Sequence, residues 1–491
     1  MKKRPHIIIF NPDQFRGDAL GHLGNEAAVT PNFDKIIEND AVSFRNAFCQ
    51  NPVCTPSRCS FMSGWYPHVK GHRIMHYMMH EDEPVLIKTL KNEGYYVWWG
   101  GKNDLTPGQE SVEPYCTYKN RPGQKRKLAP NLHAIQDWRG PKDGDNYYSF
   151  YAGKLDTKGE DVYFDGDWAN VVDAIEFIKN APKDQPICIF LSIGSPHPPY
   201  GVEDPWYSMI DRGKIKDRYP IGNEADKPSI LKGIREGQRL NGWTEERWRE
   251  LRATYLGMCS RVDHLFGMLM DALKEAGMYD DSAVFVFSDH GDFTGDYGLV
   301  EKTQNTFEDV LTNVPFIIKP PKWIDLKPGI RDALVELIDF PATVEAMTGI
   351  IPKHTHFGKS LLPVLAGTQD SHRDAVFCEG GRLLHENHCK ERESLMKHKE
   401  PELSLYWPRQ KMQTGDGIEH GKAVMVRTHE YKYVRRLYEK DELYDLKNDP
   451  MEVHNRIDDD SLADVLAALK DRLAGFYLET CDVVPYNIDQ R

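Results

Sequence analysis

The segment Cys54-Thr55-Pro56-Ser57-Arg58-Cys59-Ser60-Phe61-Met62-Ser63-Gly64 sets a thiol beside a proline, a serine and an arginine. Pro56 and Ser57 suit the entry to a helix, because the N–H that proline lacks is unpaired in a first turn anyway. Cys54 would then lie at the positive end of a helix dipole, with Arg58 one turn away. Both features lower a thiol's pKa or stabilise an anion formed there. Taken alone, Cys54 is better explained as a small buried apolar residue, the usual fate of a free cysteine. Four further residues of catalytic type, Asp13, Lys102, His197 and Asp289, each follow closely on a short apolar run.

Those runs are the elements that must position them. His6–Phe10, Tyr95–Trp99, Ile187–Ile193 and Ala283–Phe287 are apolar without alternation, the pattern of parallel strands buried on both faces. Between them lie helical stretches. Arg247 to Ala276 carries Leu251, Tyr255, Met258, Val262, Leu265, Leu269 and Leu273 at helical spacing and stops at Gly277. Strands alternating with helices predict an α/β fold with a mostly parallel sheet covered on both faces. In such sheets ligands bind outside the carboxyl ends of the strands, where all four residues fall.

The C-terminal part reads differently. Residues 367–413 are irregular and rich in His, Glu and Lys, which suggests long surface loops. Lys422–Thr428, Tyr431–Leu437 and Glu442–Leu446 alternate like a small antiparallel sheet, and a final amphipathic helix is expected from Ser461, as its N-cap, to Tyr477.

With 491 residues, 40% hydrophobic and 28% charged, the chain has the balance of an ordinary globular protein. A net charge of −13 argues against nucleic acid as the main partner, since a phosphate backbone needs a clustered basic face. It says nothing against a small anionic substrate held in a local basic pocket. No apolar run approaches the ~18 residues that span a bilayer. After Met1-Lys2-Lys3-Arg4-Pro5 the run His6–Phe10 is too short for a signal-peptide core, so the expected location is cytoplasmic. Nine cysteines without regular spacing suit reduced thiols there.

The whole string from Cys54 to Gly64 resembles the sulfatase signature, Cys-x-Pro-Ser-Arg followed by three free positions and then Met or Leu, Ser or Thr, and Gly, with every fixed position met. The resemblance continues through Ile9-Phe10-x-x-Asp13, Thr30-Pro31-Asn32-Phe33-Asp34, Gly101-Lys102, Pro196-His197-x-Pro199 and Ser288-Asp289-His290-Gly291 with Lys302. It closes with Arg427-Thr428, Tyr431-Lys432, Glu442–Leu446 and Asp449-Pro450. It implies an alkaline-phosphatase-like catalytic domain over residues 1–365 and a C-terminal subdomain over 366–491. It also implies that a maturation enzyme oxidises Cys54 to formylglycine. Asp13, Gln14, Asp289, His290 and an oxygen of the modified Cys54 would hold a divalent metal, Ca²⁺ first, with Mn²⁺ or Zn²⁺ as alternatives because His290 supplies nitrogen. Lys102 and Lys302 would hold the sulfate oxygens, Arg58 would join them as a catalytic residue by stabilising an anion made at Cys54, and His197 would bind the ester oxygen and protonate the leaving alcohol.

Two departures stand out. Gln14 occupies a position where many sulfatases have a second Asp, a pattern similar to choline sulfatases and phosphonate monoester hydrolases. Where the family continues Lys-x-His, this chain has Lys102-Asn103-Asp104, so Asp104 is either the replacement base or a bystander. The expected substrate is a carbohydrate or other small organic sulfate. Specificity would reside in residues 105–150, 200–240 and 366–415, with His72 and Arg73 as further candidates to line the pocket. Three alternatives remain: a phosphonate monoester or phosphodiester hydrolase, a choline-sulfatase-like activity, and a binding protein on a decayed sulfatase fold.

Overall fold

The structure, a computed structural model, describes residues 4–396, 399–486, 488 and 490. The opening Met1–Lys3, part of the reasoning on export, lies outside them. The strands are β1 (His6–Asp13), β2 (Val42–Phe48), β3 (Tyr96–Gly101), β4 (Tyr118–Lys119), β5 (Tyr151–Lys154), β6 (Ile187–Pro196) and β7 (Tyr200–Val202). They continue as β8 (Ser282–Phe287), β9 (Phe316–Lys319), β10 (Gly329–Glu336), β11 (Val376–Gly380), β12 (Ala423–Arg427), β13 (Tyr431–Arg436) and β14 (Glu442–Asp445). Helices are named by their residues.

An eight-stranded sheet in the order β10-β2-β9-β8-β1-β6-β3-β4 forms the centre, and β9 alone runs antiparallel to its neighbours. The run of isoleucines in β1 serves both faces. Ile8 and Phe10 point into one core, with the helices Pro31–Asn39, Gly166–Lys179 and Glu245–Glu275. Ile7 and Ile9 point into the other, with the helices Cys54–Ser63, Leu86–Asn92 and Asp339–Thr348. This is why the sequence shows no polar alternation there. The helix Glu245–Glu275 begins two residues before the predicted start, because the Thr244 hydroxyl caps it by accepting from the Arg247 N–H.

The smaller sheet, β11-β12-β13-β14, is antiparallel and packs on the helix Ala463–Thr480 in a core that also takes in Tyr66 and Ile338. Two expectations are corrected here. The supposed loop region 367–413 contains β11, whose five residues are all buried and so show no alternation. It also contains the helix Arg392–Met396 and most of the helix Trp407–Thr414. The cap of the last helical segment is Asp459, which accepts from the Ser461 N–H at 2.9 Å, rather than Ser461 itself. Among the described residues no helix is long and apolar enough to cross a membrane, and all nine cysteines are free.

Candidate active site

Parallel strands deliver their last residues to one edge of the sheet, and a helix start meets them there. β1 ends in Asp13 and β3 in Gly101, with Lys102 directly after it. β6 ends one residue before His197, and β8 is followed by Ser288-Asp289-His290. Cys54 is the first residue of the wholly buried helix Cys54–Ser63, capped by Val53 without a side-chain acceptor. Its Sγ lies 3.5 Å from Asp13 Oδ1, 3.2 Å from His290 Nε2 and 3.5 Å from Lys102 Nζ. Arg58, one turn on, pairs with Asp289 at 2.9 Å and Asp13 at 3.3 Å. The Ser57 hydroxyl donates to the Asp289 carbonyl at 2.6 Å. The conserved-looking string thus fixes the helix start to β1 and β8 through polar bonds inside the protein.

The helix start does not make Cys54 a thiolate. Burial and the charge of Asp13 outweigh Lys102 and Lys302 and push the thiol up to about 12. The expected lowering is therefore corrected: Arg58 is engaged by two carboxylates, and at neutral pH the unmodified side chain is a neutral thiol. Burial would raise the Asp13 carboxyl, yet Lys102, His197, Lys302 and Arg58 hold it well below the usual range. Lys102 stays charged despite burial because Asp104, at 2.7 Å, and Asp13, at 2.5 Å, face it.

Asp13, Cys54, Asp289 and His290 bring their ligand atoms within 4.8 Å of one another. His290 Nδ1 donates to the Gly291 carbonyl at 2.9 Å, which leaves Nε2 with its lone pair toward the cluster. Burial lowers this imidazole to about 4, so it is neutral. Two carboxylates and a neutral imidazole nitrogen fit a divalent cation. Gln14 sits beside them at φ +67°, its backbone N–H donating to Asp289 Oδ1 at 3.1 Å. Its Oε1 accepts from Lys302 Nζ at 2.6 Å, so Gln14 links the cluster to Lys302. Asp292 and Asp296 stand behind as framework, accepting from Tyr200 and Arg16 respectively.

His197 Nδ1 donates to the Pro198 carbonyl at 2.7 Å. Burial and then Lys302 hold this imidazole well below its ordinary value. Its Nε2 therefore carries a lone pair, the state of a proton acceptor rather than of the donor that the resemblance implies.

These residues open into a cavity of about 790 Å³, lined by Cys54, Lys102, Asp104, His197 and Lys302. His72 and Arg73 are not among its lining residues. His72 binds the Tyr77 carbonyl and Glu83, and Arg73 binds the Gly381 carbonyl and Glu386. Their loop instead presents Met75, His76 and Met78. The outer wall comes from the segments 105–150 and 366–415 expected to carry specificity. There His133 stacks on Tyr406, with ring centroids 6.1 Å apart, and Arg409 pairs with Glu301 at 2.9 Å, next to Lys302. Pro408, in the first turn of the helix Trp407–Thr414, was the available signal for that wall.

The sulfatase family model matches residues 5–350, and the model described as N-sulphoglucosamine sulphohydrolase, C-terminal, matches residues 393–478. Arylsulfatase K of Danio rerio is 27% identical over 387 residues, which are 74% of this chain and 68% of that protein. The ulvan-active sulfatase of Formosa agariphila is 28% identical over 330 residues, 67% of this chain and 58% of that protein. Among solved structures, the phosphonate monoester hydrolase of Agrobacterium radiobacter superposes with a TM-score of 0.74 at 19% identity, over 99% of this chain and 100% of that one, a likeness of fold. With the sulfatase family model matching residues 5–350, the chain belongs to the sulfatase family and is a sulfuric ester hydrolase.

Proposed function

We propose that this enzyme hydrolyses the sulfate monoester of a carbohydrate or other small organic alcohol, using a formylglycine made from Cys54 by a maturation enzyme. The observation that carries this reading is the position of Cys54. It is the first residue of its helix, 3.2–3.5 Å from His290, Asp13 and Lys102, and it lines the main cavity. Formylglycine supplies, as its hydrate, two hydroxyls on one carbon, one to take the sulfate and one to release it by collapse to the aldehyde. A divalent cation held by Asp13, Asp289 and His290 supplies positive charge against the nucleophile and the sulfate oxygens.

The chain's own residues do the rest. Lys102 and Lys302, both charged in spite of burial, hold the sulfate oxygens and neutralise the charge that grows on them. Gln14 couples the position of Lys302 to the cation site. Arg58 keeps the two carboxylates in place through Asp13 and Asp289. His197 Nε2 takes the proton whose removal releases sulfate, and Asp104 positions Lys102. The aromatic and polar wall of His133, Tyr406 and Arg409 suits a hydroxylated ring. The amino-sugar name of the second family model agrees with that class.

The test is a side-by-side assay of an aryl sulfate and an aryl phosphonate monoester with matured enzyme, before and after exhaustive chelation. The proposal expects the sulfate to be preferred and chelation to abolish turnover, with one divalent ion per chain by elemental analysis. Preference for the phosphonate would move the enzyme to the phosphonate monoester hydrolases. Full activity without metal would refute the cation site.

A further inference from the structure

We propose that the part of the cavity lined by Asp165, Asp167 and Glu203 is a subsite for an ammonium group, so that the preferred substrates are sulfate esters of alcohols that also carry a primary amine. The inference rests on the sulfatase reading of the site and names the alcohol it serves.

Glu203 follows directly on β7. It lines the cavity, is 0% exposed, and its Oε1 accepts from Arg261 Nε at 3.0 Å and from the Tyr163 N–H at 3.0 Å. Its Oε2 is buried and has no hydrogen-bond partner. An orphaned carboxylate oxygen in a protein interior requires a water or a ligand to satisfy it. Arg261 is not that partner, because its remaining nitrogens reach Asp165 at 3.1 Å and the Tyr163 carbonyl at 2.8 Å. Gln410, another lining residue, also holds an unpartnered buried acceptor, its Oε1. A ligand group that satisfies either must bring a donor.

Charge selects the kind of donor. Three carboxylates, Asp165, Asp167 and Glu203, face one guanidinium, that of Arg261. Asp167 already accepts two backbone N–H bonds, from Gly194 and Ser195 at 2.7 Å each. Burial and the neighbouring Asp165 still hold its carboxyl above the usual range, a repulsion that an incoming cation would relieve. A bare metal ion fits poorly. Among the described residues, the converging metal-type group is that of Asp13, Cys54, Asp289 and His290, not this one. The cavity is thus basic where Lys102 and Lys302 line it and acidic here, a field complementary to a zwitterion.

The experiment compares matched sulfates with the matured holoenzyme. Regioisomers of glucosamine O-sulfate are set against the corresponding glucose O-sulfates, and 2-aminoethyl sulfate against propyl sulfate, with para-nitrophenyl sulfate as reference. The amine-bearing member of a pair should be favoured at least about tenfold in kcat/KM. Glu203→Gln should reduce that preference to near unity and leave the aryl ester within about threefold. Should Glu203→Gln fail to fold, the wild-type comparison alone decides. Preference for the neutral members, turnover of the aryl ester alone, or an undiminished preference in a folded Glu203→Gln enzyme overturns the inference and leaves the sulfatase reading intact. No turnover of any sulfate overturns both.

Discussion

Asp104→Asn separates two roles for a residue that stands where the wider family carries a histidine. Asp104 Oδ2 lies 2.7 Å from Lys102 Nζ, and the same ammonium lies 2.5 Å from Asp13 and 3.5 Å from Cys54 Sγ. Burial would raise the Asp104 carboxyl, but Lys102 and Arg58 outweigh it and hold it below its ordinary value. A carboxylate held in this way is a firm partner for Lys102. Asparagine keeps the size and removes the charge. The loss is one close ion pair, on the scale of a contact to a charged group, ~1.5–3 kcal/mol. The side chains are 30% and 18% exposed, so screening moves the effect to the lower end. That corresponds to a fall of roughly 10- to 30-fold in kcat/KM. Because Lys102 serves both attack and release, rapid quench with para-nitrophenyl sulfate should show the burst and the steady state slowed together. Mass spectrometry of the Cys54 peptide should find no sulfated intermediate, and Asp104→His should restore little. A normal burst followed by slow turnover, with a sulfated Cys54-derived residue trapped, would refute this reasoning and make Asp104 the base.

Three other outcomes are expected. Gly101→Ala should cost nearly all activity or soluble protein, because Gly101 has φ +82° and a Cβ would stand 1.9 Å from the Ser192 carbonyl oxygen, directly before Lys102; an enzyme with wild-type activity would contradict the turn. With His197 held well below its ordinary value by burial and by Lys302, kcat, which contains the release step, should show no acid limb from it near pH ~6.5. Protonation removes its acceptor only as the pH falls through the depressed value, and a limb at the ordinary value in a pH–rate profile would count against that state. Asp339, fully buried and bound by Arg373, should cost ~3–5 kcal/mol when changed to Asn, read by denaturant unfolding at neutral pH. Arg373 and His372 hold this carboxyl below its usual range in spite of burial, so its contribution is present above the unfolded value and is lost as pH falls toward the folded one. The gap between the two proteins should therefore narrow in acid.

The strands that carry the site were legible because they are buried on both faces. Ile7 to Phe10 and Ala283 to Phe287 have no polar side to confuse the period, and Asp13 and Asp289 follow directly. The same physics hid β11, whose Glu379 is buried against His68 and reads in sequence as a surface charge. Cys54 was found through the residues around it. Its raised pKa was not foreseen, because Asp13 arrives from a strand 41 positions away. The pairing of Lys102 with Asp104 was within reach of the sequence, since residues two apart lie on one side of an extended segment. The cavity wall resisted reading most. Glu203, His133 and the pair Tyr406 and Arg409 come from the three segments expected to carry specificity, but no local pattern marks which of their residues meet. His72 and Arg73, close in sequence to the signature, turn instead to Glu83 and Glu386.

The most direct measurement is the mass of the peptide that contains Cys54, taken from enzyme co-expressed with a maturation enzyme and assayed in the same preparation for release of sulfate from an ester. The expected result is an aldehyde or its hydrate in place of the thiol, activity that rises in proportion to the converted fraction, and no turnover in Cys54→Ala. Full turnover by a preparation in which every Cys54 remains a thiol would contradict the proposed nucleophile.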